Sequence, residues 1–120
     1  MSADNNELVL VYKSDEPNDL RALYYVESLR TYHVSTIDVS TQEISPGQFM
    51  ELANKLHVMP VDLINDEEEA REVREMGPDG NRLAISDLKK NHKLLRTPIA
   101  IVGDQANFWN DANPLIRRRK

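Results

Sequence analysis

The apolar residues of this chain change their spacing several times, and each change marks an element. Leu8-Val9-Leu10-Val11-Tyr12 is an unbroken apolar run, the pattern of a strand covered on both faces. A polar turn follows, and then Ala22, Leu23, Val26 and Leu29 recur at the spacing of one helix face. Pro17 suits the first turn of that helix, where its missing N–H leaves no bond unmade. The segment from Val34 to Val39, with Thr36, Ile37 and Val39 inside it, predicts a second strand.

The next helix is the best signalled. Ser45 is a cap residue, Pro46 sits at the first position, and Gln48 completes a capping box. Phe49, Leu52, Ala53 and Leu56 then form its apolar stripe. From Met59 the spacing predicts continued helix with an acidic face, where Leu63, Ala70 and Val73 make a thin stripe that Gly77-Pro78 and Asp79-Gly80 stop. Ser86 is expected to cap a further short helix carrying Leu88, His92 and Leu95. Pro98 to Val102, a turn at Gly103-Asp104, and Gln105 to Trp109 read as a hairpin. Phe108 and Trp109 are neighbours, so on a strand they face opposite ways. Asn113-Pro114 leads into a last segment that ends in the basic tail, residues 114–120.

The order is β-α-β, several helices, then β-β. One parallel β-α-β unit and a hairpin predict an α/β fold with a four-stranded mixed sheet flanked by helices, and a helical insertion after the second strand. At 120 residues the chain fits one domain, 1–120.

Composition narrows the chemistry. The chain has no cysteine, which removes disulfides, thiolate metal sites and every thiol mechanism. A net charge of −5 argues against direct nucleic-acid binding, which needs clustered Lys and Arg; the tail Arg117-Arg118-Arg119-Lys120 is read as a solvated end. No apolar run approaches a membrane span, and the polar first residues suit a cytoplasmic protein. His33, His57 and His92 are too scattered for a metal site, so they are assigned surface or capping roles. The acidic run Asp66 to Glu69 lacks the glycine-punctuated loop of a calcium site and reads as a solvated helix face. Ser14 lacks a nearby base and is assigned to a turn or cap. No metal or cofactor is expected.

Three stretches together resemble one family. The first runs from Tyr12 to Leu23, with Arg21 four residues after Pro17. The second is Met50 to His57, followed by Pro60-Val61-Asp62-Leu63-Ile64. The third is His92-Lys93-Leu94-Leu95-Arg96-Thr97-Pro98-Ile99. Their order and spacing are similar to the arsenate reductase-like branch of the thioredoxin fold, which includes the ArsC enzymes and the Spx regulators. The resemblance implies a thioredoxin-like fold with a cis bond at Thr97-Pro98. It also implies that Pro17 stands where the family has its catalytic cysteine. Asn65 and Thr97 stand where it has arginines, and Arg96 lies one place early, a slip that turns a side chain to the opposite face of an extended segment. Asn107 and Asn110 likewise stand at positions where the family tends to place arginine.

The vestigial positions are therefore Pro17, Asn65, Thr97 and Pro98, and no catalytic residue is assigned. Ser14, Asp15, Glu16, Asn18, Arg21, Arg96 and Asn107 are the candidate binding residues. Asp15, Glu16 and Asp19 crowd the start of the first helix, where at least one is expected to cap it and close the former anion site. The expected function is non-catalytic binding of a protein partner, as in the regulator branch. The alternative is a small-molecule binder or non-thiol enzyme that reuses the pocket at the start of helix one.

Overall fold

A computed structural model describes residues 6–109, and the apolar run that opens the chain lies at its centre. Strand β1 (Glu7–Tyr12) pairs in parallel with β2 (His33–Asp38) and antiparallel with β3 (Ile99–Val102), which pairs antiparallel with β4 (Gln105–Phe108). The sheet order is β2-β1-β3-β4, the mixed four-stranded sheet expected.

Both faces of β1 are covered, which is why its residues are continuously apolar. Leu8 and Leu10 join Ala22, Val26 and Leu29 from α1 (Pro17–Glu27) and the segment after it, with Ala100 of β3 beside them. Val9 and Val11, on the opposite face, join Ile99 and Ile101 in a larger core. That core is closed by α2 (Pro46–Leu56), α3 (Glu67–Arg74) and α4 (Gly80–Lys90), through Phe49, Leu52, Val73, Ala84 and Leu88. The register places Val9 opposite Ile101 and Leu10 opposite Ala100, so a slip of one residue would exchange the two cores.

The capping box of α2 forms as its sequence requires. Gln48 N–H donates to Ser45 Oγ at 3.2 Å, and Ser45 N–H donates to Gln48 Oε1 at 2.9 Å. Phe108 and Trp109 do face opposite ways: Phe108 packs against the larger core and Trp109 against the smaller one.

Two helical expectations are corrected. The helix predicted to run on from Met59 is interrupted. A short 3-10 turn, Pro60–Leu63, ends at Ile64, which forms an isolated antiparallel bridge with Leu95. Asn65 N–H donates to the Leu94 carbonyl at 2.6 Å, and Arg96 N–H donates to the Leu63 carbonyl at 2.7 Å. These long-range main-chain bonds satisfy groups that a continued helix would have paired locally, and they let Leu63 and Ile64 both be buried. Helix α3 then begins afresh, with Asp66 Oδ1 accepting from Glu68 N–H at 2.9 Å and Glu69 N–H at 3.3 Å. The second correction concerns Ser86, which lies inside α4 rather than at its start. That helix begins at Gly80, because Ala84, Ile85 and Leu88 extend one buried face back to it. Gly80 is needed for the approach to α3: a Cβ there would stand 2.6 Å from the Val73 carbonyl oxygen.

Candidate functional site

The carboxyl end of β1, the start of α1 and the loop before β3 enclose a groove of about 720 Å³. Such crevices outside strand ends are the common ligand sites of α/β sheets. Its buried side is built from Lys13, Asp19, Ala22 and Pro98, and its rim carries Glu16, Asn18, Arg21 and Asn65. Tyr25 and Trp109 form an aromatic wall, their ring centroids 5.6 Å apart and tilted by 60°. The Thr97-Pro98 peptide bond is cis, as the resemblance implies.

Asp19 ties the walls together. It is only 3% exposed, and its Oδ2 accepts from the Lys13 main-chain N–H at 2.9 Å and from Thr97 Oγ1 at 2.6 Å. The expected acidic cap of α1 is therefore absent. Glu16 occupies the cap position, but no side-chain hydrogen bond caps the helix. Asp19, in the first turn, turns back to the strand and the proline loop, where two donors await one buried oxygen. Asp15 is exposed and pairs with Lys93 Nζ at 3.5 Å.

Lys13 is buried as well, at 5% exposure, and its Nζ donates to the Lys93 carbonyl at 2.8 Å. Burial pushes its ammonium below the ordinary lysine range, against the opposing pull of the Asp19, Glu16 and Asp15 carboxylates.

The predicted residues divide. Glu16, Asn18, Arg21, Asn65, Thr97 and Pro98 converge on the groove. Pro17 is exposed at the first position of α1 and offers no nucleophilic atom. Ser14 belongs to the end of β2 instead: its N–H donates to Asp38 Oδ1 at 3.0 Å, and its Oγ lies 3.3 Å from Ser40 Oγ. Asp38 also accepts from Ser40 N–H and Oγ. Burial alone would raise its pKa, but the bonds from Ser14 and Ser40 outweigh it and hold the carboxyl at about 2. Arg96 turns away from Thr97, as a one-residue slip requires, and its guanidinium stacks 4.0 Å from the centre of the Phe108 ring. Asn107 sits exposed on β4 outside the groove lining. Asn110 and the basic tail lie outside the described residues.

Among the histidines, His33 is exposed and His57 ends α2 in the left-handed conformation, φ 59°. His92 departs from its surface assignment. It is half-buried, edge-on to Phe49, and its Nε2 is buried without a hydrogen-bond partner among the described residues.

Sequence reasoning missed Lys13, Tyr25 and Trp109 as groove residues and gave Asp19 the wrong partner. For Lys13 a signal existed. A charged residue directly follows the two-faced apolar strand, at the end where such sheets place their sites.

Among the described residues no helix is long and apolar enough to cross a membrane. No family model matches the chain, and no curated protein matches it. Solved structures do. A candidate arsenate reductase from Yersinia pestis superimposes with a TM-score of 0.75 at 14% identity, covering 92% of this chain and 98% of its own. An arsenate reductase from Vibrio cholerae gives 0.74 at 14%, covering 92% and 96%. A Staphylococcus aureus protein gives 0.67 at 13%, covering 87% and 92%. The chain thus has the thioredoxin-like fold of arsenate reductase structures, without a cysteine anywhere in its sequence.

Proposed function

We propose that this protein is a non-catalytic member of the arsenate reductase-like group that works by binding an extended segment of a protein partner in the groove beside the proline loop. One observation carries the reading. The groove survives, with an aromatic wall of Tyr25 and Trp109 facing polar groups of Asn18, Arg21 and Asn65, while the nucleophile's position holds Pro17. Apolar pockets beside convergent polar groups suit side-chain recognition. The arginine frame of an oxyanion site is replaced by Asn65 and Thr97, and the buried Asp19 carboxyl beside them is already taken up by the Lys13 main-chain N–H and the Thr97 hydroxyl.

Trp109 is the chain's single tryptophan and lines the groove, so its fluorescence reports occupancy. Peptides selected from a random library on the purified protein should shift Trp109 emission and lose binding in Arg21→Glu and Tyr25→Ala. Selected peptides that bind both variants normally would refute the groove as the partner site. A metabolite screen by thermal shift serves the rival reading: stabilisation by a small molecule, with no peptide selected, would favour a small-molecule site.

A further inference from the structure

Strand β2 is one edge of the sheet, and its free side carries main-chain groups that nothing among the described residues takes up. His33 N–H donates to the Asn6 carbonyl at 2.8 Å, and Val39 N–H donates to the Tyr12 carbonyl at 2.9 Å. A parallel ladder uses alternate residues of a strand. The odd-numbered residues therefore face β1, and Val34, Thr36 and Asp38 turn their N–H and C=O outward. Asp38 is satisfied locally: its N–H donates to Gln42 Oε1 at 2.9 Å, and its carbonyl accepts from Thr41 N–H and Gln42 N–H. The outward groups of Val34 and Thr36 have no such partner among the described residues. Natural edges are blunted by lysine, proline or a covering element, yet Thr31 to Val39 contains no Lys, Arg or Pro, and Ser35 and Thr36 are exposed. The other edge, β4, spans only four residues.

We propose that β2 pairs with β2 of a second copy of this chain, antiparallel about a two-fold axis, so that two four-stranded sheets join into one. In an antiparallel pair, opposed residues either exchange both main-chain bonds or exchange none. Only one register matches all the open groups to one another: Val34 of one copy stands opposite Thr36 of the other. The two-fold repeats that pair, so four main-chain bonds form and both open residues of each copy are satisfied. Val34 and Thr36 are both β-branched, a favourable cross-strand pair, and Ser35 meets Ser35 of the other copy on the axis, hydroxyl to hydroxyl. The charges also suit a second copy. His33 falls opposite Ile37, and the two Asp38 residues stand about 20 Å apart along the strands. No like charges meet, although each chain carries a net −5. No residue of β2 lines the groove, so this surface is independent of partner binding there.

Sedimentation of the purified protein should show a mass that rises towards twice the monomer with concentration. Thr36→Pro removes an outward N–H and no bond to β1, at a position where an edge strand tolerates proline. It should weaken association about tenfold or more while circular dichroism stays unchanged. Disulfide trapping reads the register, since the chain has no cysteine of its own. Ser35→Cys places two thiols across the axis within disulfide reach and should cross-link under mild oxidation. His33→Cys, also at an exposed position, places them about 14 Å apart and should not. The trapping needs no proline, so it decides the case even if Thr36→Pro fails to fold. A protein that stays monomeric at every concentration would overturn the proposal and leave the edge to a strand of another protein. A dimer that Thr36→Pro leaves intact, or equal cross-linking at positions 33 and 35, would overturn it as well.

Discussion

Replacing Asp19 by alanine is the most informative perturbation of this fold, because one oxygen atom holds two elements together. Asp19 Oδ2 links the end of β1, through the Lys13 N–H, to the proline loop, through the Thr97 hydroxyl. Each bond to a charged acceptor contributes about 1.5–3 kcal/mol. Asp19→Ala removes both and leaves the buried Lys13 main-chain N–H and the Thr97 hydroxyl without their acceptor, so it should cost about 3–5 kcal/mol. Thr97→Val removes only the second bond and should cost about 1.5–3 kcal/mol. Since the two substitutions delete one shared bond, the double variant should be less destabilised than their sum, by about 1–2 kcal/mol. A domain of this kind has about 5–15 kcal/mol in total, enough for urea unfolding followed by circular dichroism to resolve all four proteins. If Asp19→Ala costs under about 1 kcal/mol, or the effects add within about 0.5 kcal/mol, the link is not an energetic one. Asp19 would then act only through the helix dipole.

Gly80→Ala should destabilise by about 1–3 kcal/mol despite the better helix propensity of alanine, because the new Cβ would stand 2.6 Å from the Val73 carbonyl; a more stable variant in thermal unfolding would refute the close approach. Asp38, held at about 2 against an ordinary 3.8, contributes stability that is present above pH about 4 and lost as pH falls through 2. Solvent screening at this partly exposed site limits the contribution to about 1 kcal/mol. The gap between wild type and Asp38→Asn should therefore close across that range, and a constant gap would show that the carboxyl charge is not what matters.

Much of the fold is legible in the sequence because the signals are local. The apolar run at Leu8–Tyr12, the helical stripe of α1, the Ser45–Gln48 box and the turn at Gly103 each specify their element through neighbouring residues. The missing thiol is equally plain. Groove residues on the β1–α1 turn could be named for the same reason, since Glu16, Asn18 and Arg21 lie within one turn of Pro17. Tertiary structure decided the rest. The break at Ile64 depends on main-chain bonds to Leu94 and Arg96, some thirty residues away in sequence, which outweigh local helix bonds. Position 80 requires glycine because of a carbonyl on α3. Asp19 carries the sequence marks of a helix cap, and only the return of the chain at Thr97 brings the hydroxyl that, with the Lys13 amide, draws it inward. The burial of Lys13 follows from the same closure. Local sequence sets which bonds a residue is able to make, and the folded chain brings up the partner that wins.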